Sequence, residues 1–249
     1  MKKLYNLEID MKIATWSGPR NISTALMRSW SSRKDTIVID EPFYASYLHR
    51  TQLKHPFYDE IINKYPVNDQ EIIKILTGSI PDNKNIWYQK HMAHHICNFD
   101  SLSWILKLQN CFIIRKPNHV INSYIKKNEL KKTEELGYIQ QFKLINFLIK
   151  NSADFIVIDT ESLLKNPEKI LTLWCKHFGL NFNKSMLKWK KGYHPNDGIW
   201  AKHWYSNVIK SSSFGRLKNN NTDVNDFYLE IYEECMFYYN QMKKFELLG

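Results

Sequence analysis

Nearly continuous apolar, β-branched runs recur along the chain at residues 12–16, 36–40, 85–90, 111–115 and 154–159. Runs this short and this apolar predict strands buried on both faces, as in a parallel sheet. Helical spacing fills the gaps. It covers residues 22–30, 69–76, 101–108, 118–128, 134–150 and 167–178. In 69–76 the side chains Ile72, Ile73 and Leu76 share a side, and in 134–150 Leu136, Ile139, Phe142, Ile145 and Ile149 do. Strand and helix in alternation predict a three-layer α/β/α domain with a central parallel sheet.

The pattern then changes. Residues 183–218 are rich in Trp, Lys, Gly and Ser and lose the period, which predicts a long ordered loop with one short helix, placed to cover a site. Residues 223–242 regain it, with Val224, Tyr228, Ile231, Cys235 and Met242 on one face of a closing helix. No repeat or linker interrupts the pattern, so residues 1–249 read as a single domain.

Composition narrows the function classes. A net charge of +10 suits an anionic ligand. The lysines are spread along the chain with no long basic run, which argues against nucleic acid. Cys97, Cys111, Cys175 and Cys235 are far apart and share no metal spacing; they read as reduced thiols of a cytoplasmic protein. Neither a leader-like apolar stretch at the start nor an apolar window long enough to span a membrane is expected.

Two segments carry candidate chemistry. In the first, strand 12–16 leads through Ser17-Gly18-Pro19-Arg20-Asn21-Ile22 to Ser23-Thr24, where a helix opens. In the second, strand 111–115 ends at Arg115 and a helix carrying Ser123 follows Pro117. A helix start leaves N–H groups unpaired and carries partial positive charge. Two such starts, each with an Arg and a Ser, predict a ligand with two separate phosphate groups. The first loop lacks the second Gly and the Lys of a P-loop, which disfavours an ordinary ATPase or kinase.

These segments resemble those of sulfotransferases that use 3′-phosphoadenosine 5′-phosphosulfate. Pro19-Arg20-Asn21-Ile22-Ser23-Thr24 is similar to the family's Pro-Lys-Ser-Gly-Thr-Thr phosphosulfate loop, departing at Asn21 and Ile22. Arg115 and Ser123 keep the family's Arg-to-Ser spacing at the 3′-phosphate. A third stretch, Ile158-Asp159-Thr160-Glu161-Ser162-Leu163 followed by Asn166-Pro167-Glu168 and Phe178-Gly179-Leu180, is also similar, so the likeness runs from about Lys12 to Leu180 in family order. The resemblance implies a P-loop-like sulfotransferase fold and transfer of a sulfuryl group from that nucleotide, without a metal, to a hydroxyl or amine of a small molecule. It implies nucleotide contacts from Gly18, Pro19, Arg20, Asn21, Ile22, Ser23, Thr24, Arg115 and Ser123, with Arg20 also holding charge on the moving group.

The acceptor's base is open among three residues. Lys90-His91 resembles a family Lys-Thr-His stretch, making His91 the first choice and His95, four residues on, the second. Glu41, in Asp40-Glu41-Pro42-Phe43, is the rival, since some bacterial members carry Glu-Pro-Phe here. The His91, His94 and His95 cluster lacks the partners of a zinc site. Ser213 and Arg216 are candidates for the family's missing C-terminal phosphate motif, and Trp200, Trp204 and Tyr205 for an acceptor pocket. Two alternatives remain. One is a P-loop kinase or hydrolase with a degenerate loop and Mg²⁺ on Ser23 and Asp40. The other is a nucleotide-binding relative without turnover.

Overall fold

The computed structural model describes residues 10–216 and 223–248. Five strands form one parallel sheet: β1 (Met11–Ser17), β2 (Thr36–Asp40), β3 (Ile86–Met92), β4 (Gln109–Ile114) and β5 (Phe155–Asp159), in the order β2-β3-β1-β4-β5. All five sequence runs are strands. The register aligns Asp40 with Lys90, Trp16 with His91, Ser17 with Ile113, and Ile114 with Asp159. The carboxyl ends of the strands therefore share one edge, where open parallel sheets bind ligands.

Helices cover both faces. α1 (Ser23–Ser31) buries Leu26, Met27 and Trp30 against Ile13, Val38, Tyr88 and Ile113. α2 (Tyr44–Thr51) and α3 (Tyr58–Lys64) follow β2, and α4 (Asp69–Thr77) places Ile72 and Leu76 on the opposite face. There they join Ala14, Trp16 and Phe112, with α5 (Pro117–Tyr124) and α6 (Tyr138–Lys150). α7 (Thr160–Lys165) and α8 (Pro167–His177) follow β5, and Leu171 and Trp174 of α8 close the α1 side. α9 (Ala201–Trp204), α10 (Ser206–Ile209) and α11 (Leu229–Lys243) complete the series.

The structure corrects several expected boundaries. β3 runs through His91 and Met92, because these residues still pair with Trp16 and Ser17. Residues 101–108 do not form an α-helix. Ser103–Lys107 is a 3₁₀ turn, and the side-chain amide of Asn110 donates to the carbonyls of Ile105 and Leu108 at 2.9 Å each. Residues 134–150 break into a 3₁₀ turn (Thr133–Leu136) and α6, with Gly137 between them at φ 76°. A Cβ on Gly137 would lie 3.1 Å from the Gly18 Cα, so the chain passes there as bare backbone. The helix expected at 118–128 starts at Pro117 and stops at Tyr124.

Residues 183–218 hold more structure than one short helix. They contain a 3₁₀ turn (Lys184–Leu187), α9, α10 and a bridge between Lys188 and Ser213; Leu217 and Lys218 lie outside the described residues. The closing helix expected from residue 223 begins as a 3₁₀ turn, Asp226–Tyr228, and continues as α11. α2 and α3 had no counterpart in the periodic pattern. They form a third cluster of their own, with Tyr44, Ala45, Leu48 and Ile61 packed on Trp200, Ala201 and Tyr205.

Candidate functional site

The first loop is shaped by close approach. A Cβ on Gly18 would sit 2.1 Å from the Leu136 carbonyl oxygen and 3.2 Å from Asn21 Nδ2, so only glycine fits there. Arg20 and Ile22 then take left-handed backbone, at φ 63° and 55°. Such geometry suits glycine and costs an L-residue about 1–2 kcal/mol. Ile22 stands where the resembling loop has glycine and takes a backbone form that favours glycine, while its side chain packs against the α1-side core. Ile22 is also the N-cap of α1 and offers no side-chain cap, so the first amides of α1, at Ser23 and Thr24, go without one. Asn21 is 1% exposed, and neither atom of its amide has a hydrogen-bond partner. Buried polar atoms left this way are costly unless something engages them.

The second segment meets the first. Arg115 donates from Nη1 to the Arg20 carbonyl at 2.8 Å, and Arg20 donates from Nε to Ser123 Oγ at 2.8 Å. Tyr138 fixes the strand end by donating to the Arg115 carbonyl at 2.7 Å. Two candidate anion positions that the sequence presents as separate therefore share one hydrogen-bonded frame. Burial lowers the pKa of both guanidinium groups. Lys116 adds positive charge nearby, 3.5 Å from Glu161; His119 lies 3.5 Å from the same carboxylate, and burial together with the charge of Arg115 lowers its pKa.

At the other end of the edge lies an ionic cluster on β2 and β3. Lys90 is 1% exposed, and its ammonium donates to Asp40 at 2.9 Å, to the Tyr205 hydroxyl at 2.7 Å and to Glu41. Those three bonds use every N–H that a lysine has. Asp40 also accepts from Tyr205 at 2.8 Å and from the Gly198 amide at 3.1 Å. Burial pulls the Lys90 ammonium down, but Asp40 and Glu41 outweigh it and raise its pKa. Burial raises the pKa of Glu41, Lys90 opposes this, and the charge of Asp40 adds to it. The Glu41 side chain is 11% exposed, against 1% for those of Asp40 and Lys90.

The histidines lie apart from this cluster. Strand alternation sends His91 to the face opposite Lys90. There it stacks on Trp16 at 4.3 Å, with Phe43 and Trp104 about it, and is 1% exposed. Burial, helped by Lys90, pushes it down to about 3. His95 follows in a 3₁₀ turn, stacked between Tyr44 at 4.9 Å and Tyr47 at 4.7 Å. Burial again pushes it well below its usual value. Both rings are held neutral at pH 7. Ser213 and Arg216 are exposed. Among the described residues no group of three or more His, Cys, Asp or Glu could hold a metal ion, and no helix is long and apolar enough to cross a membrane.

The role of Tyr205 escaped the sequence reading, which placed it only among pocket aromatics. The Arg28–Asp197 pair at 2.6 Å, which ties α1 to the segment before α9, left no trace in spacing. Lys90 did carry a signal: a lone cation inside an apolar strand demands a buried anion.

Known proteins place the chain. A profile of the sulfotransferase domain matches residues 11–245. Two Arabidopsis thaliana proteins are similar. Branched-chain-amino-acid aminotransferase-like protein 1 is 36% identical over 83% of this chain and 37% of its own length. Protein 2 is 29% identical over 93% of this chain and 41% of its own. The chain thus spans about two fifths of these relatives. Among solved structures, the sulfotransferase domain of the curacin biosynthetic pathway aligns over 96% of this chain and 99% of its own at TM-score 0.53 and 16% identity. A sulfotransferase from Alicyclobacillus acidocaldarius aligns over 75% and 87% at TM-score 0.50 and 10% identity, and both likenesses are of fold. With the profile covering almost the whole chain, and a parallel five-stranded sheet flanked by helices as in those structures, the chain belongs to the sulfotransferase domain family.

Proposed function

We propose that this chain moves a sulfuryl group from 3′-phosphoadenosine 5′-phosphosulfate to a hydroxyl or amine of a small-molecule acceptor. The observation that carries the reading is the joint frame of Arg20, Ser123 and Arg115, with the unpartnered Asn21 amide beside it. This donor set fits a ligand with two anionic groups. Left-handed backbone at Arg20 and Ile22 and the open start of α1 supply amides for one group. Arg115 and Ser123 supply a planar cation and a hydroxyl for the other.

The nucleotide brings an activated sulfuryl group, whose bond to a phosphate oxygen breaks as the acceptor's oxygen or nitrogen attacks sulfur. Arg20 offsets the charge that develops on the departing oxygen. Glu41 takes the acceptor's proton. It is the most exposed acid of the edge cluster, and its raised proton affinity brings it toward the working pH. Lys90 holds its carboxylate in place. His91 fits this role less well, because its ring is packed against Trp16 and stays neutral well below pH 7.

Calorimetric titration with 3′-phosphoadenosine 5′-phosphate tests the reading, set against adenosine monophosphate, ADP and ATP with and without Mg²⁺. The expected result is tight, metal-independent binding that requires the 3′-phosphate. It should weaken about 10- to 100-fold in Arg115→Ala, the loss of a charge-assisted bond, and less in Ser123→Ala. Binding of ATP only with Mg²⁺, or no nucleotide binding, would overturn it.

A further inference from the structure

Tyr205 reaches the edge cluster from the far end of the chain. It follows α9 directly and is 6% exposed. Its hydroxyl lies 2.8 Å from each Asp40 oxygen and 3.2 Å from Glu41 Oε1. It accepts from Lys90 at 2.7 Å and from Trp200 Nε1 at 3.2 Å. A tyrosine has one hydroxyl proton, and the shorter contacts assign it to Asp40. Asp40 then holds three donors, from Lys90, Tyr205 and the Gly198 amide. All three lie in its buried environment, so none of its capacity faces solvent.

We propose that Tyr205 is a positioning residue: by tying Asp40 and Lys90 to each other, it leaves Glu41 rather than Asp40 as the carboxylate that meets the acceptor. This rests on the function proposed above. The groups that face Glu41 are Asp40 beside it, Lys90 from β3, Tyr44 from α2 and Tyr205 from the covering segment. Removing the Tyr205 hydroxyl deprives Asp40 of a donor, so Asp40 draws Lys90 closer to itself. With Lys90 drawn toward Asp40, the Glu41 carboxylate loses part of its cation, and it holds its proton to higher pH.

The test is a ¹³C carboxyl NMR titration of the full chain, wild type and Tyr205→Phe, with Glu41→Gln to assign the resonance. The expected result is a rise of about one pH unit in the Glu41 midpoint. Binding of 3′-phosphoadenosine 5′-phosphate should stay within about twofold, which certifies the fold. Trp200→Phe removes the donor to the Tyr205 oxygen, along with part of a buried ring packed on Tyr44 and Tyr65, and should give a smaller rise. An unmoved midpoint in Tyr205→Phe with nucleotide binding intact overturns the proposal. If Tyr205→Phe binds no nucleotide, Trp200→Phe decides by the same criterion. The titration needs no turnover, so a chain that never transfers sulfuryl would sink the proposed function and still report on Tyr205.

Discussion

The nucleotide side and the acceptor side proposed for this sheet edge are built in different ways. The nucleotide side consists of two strand-to-helix turns, β1–α1 and β4–α5, each formed by residues close together in sequence. The acceptor side is assembled across the chain. Asp40 and Glu41 come from the end of β2, Lys90 from β3, and Tyr205 and Gly198 from the covering segment, with contacts to Asp40 that span 165 and 158 residues. A turn rests mainly on its own backbone, even where Gly18 is pressed against Leu136, whereas a long-range cluster exists only after the fold has formed. The nucleotide side should therefore yield to changes within its loop, and the acceptor side to changes in distant elements that pack on it.

The largest effect should fall on chemistry alone. Glu41→Gln is expected to lower kcat by about 10²- to 10⁴-fold, the usual worth of a general base. The affinity for 3′-phosphoadenosine 5′-phosphate should not change. Steady-state kinetics beside calorimetry would separate the two sides, and an unchanged kcat would return the role to His95 or His91.

Next comes the tie between the sides. Arg28 of α1 and Asp197 are 1% and 4% exposed, and the residue after Asp197 donates its amide to Asp40. Asp197→Ala would leave the Arg28 charge buried and unpaired, costing about 3–5 kcal/mol of stability. Denaturant unfolding measures this. A loss below about 1 kcal/mol would mean that the arginine finds water or another partner.

Acid should weaken the core on which both sides rest. The folded pKa of His91 is about 3, below the ordinary value of 6.5. The unfolded chain therefore binds the proton first as pH falls. Stability is fully present above about pH 6.5 and falls steadily from there toward pH 3. Between pH 6.5 and 5 this single group costs about 2 kcal/mol, and His95 shifts in the same direction. Unfolding at the two pH values checks it, and His91→Phe should flatten the slope.

The finest contrast lies within the phosphate loop. Gly18→Ala would drive a methyl group into the Leu136 carbonyl and should cost about 1–3 kcal/mol. Ile22→Gly should change stability by less than about 1 kcal/mol, because relief of left-handed strain offsets the lost packing. Thermal melts of the pair would show whether Ile22 is a strained stand-in for glycine.

Much of the fold was legible for physical reasons. Strands buried on both faces must be apolar throughout, so all five stood out, and residues 36–40 coincide with β2. Boundaries failed where distant contacts decide them. His91 and Met92 stay in β3 because β1 pairs with them, and Gly137 breaks a helical period because Gly18 passes against it. α2 and α3 were missed because Tyr44, Ala45, Leu48 and Ile61 pack on Trp200 and Tyr205, and so the segment lacks a stripe aimed at the sheet.

The sequence by itself determined the parallel sheet and the two strand-to-helix turns that carry the candidate nucleotide residues, since each follows from short-range spacing and backbone geometry. The tertiary structure decided that Arg20 and Arg115 share one frame, that His91 turns into the core, and that Glu41 stands beside a saturated Asp40–Lys90–Tyr205 cluster. Burial and partner geometry set the charge and reach of each of these groups, and both come from segments far apart in the chain.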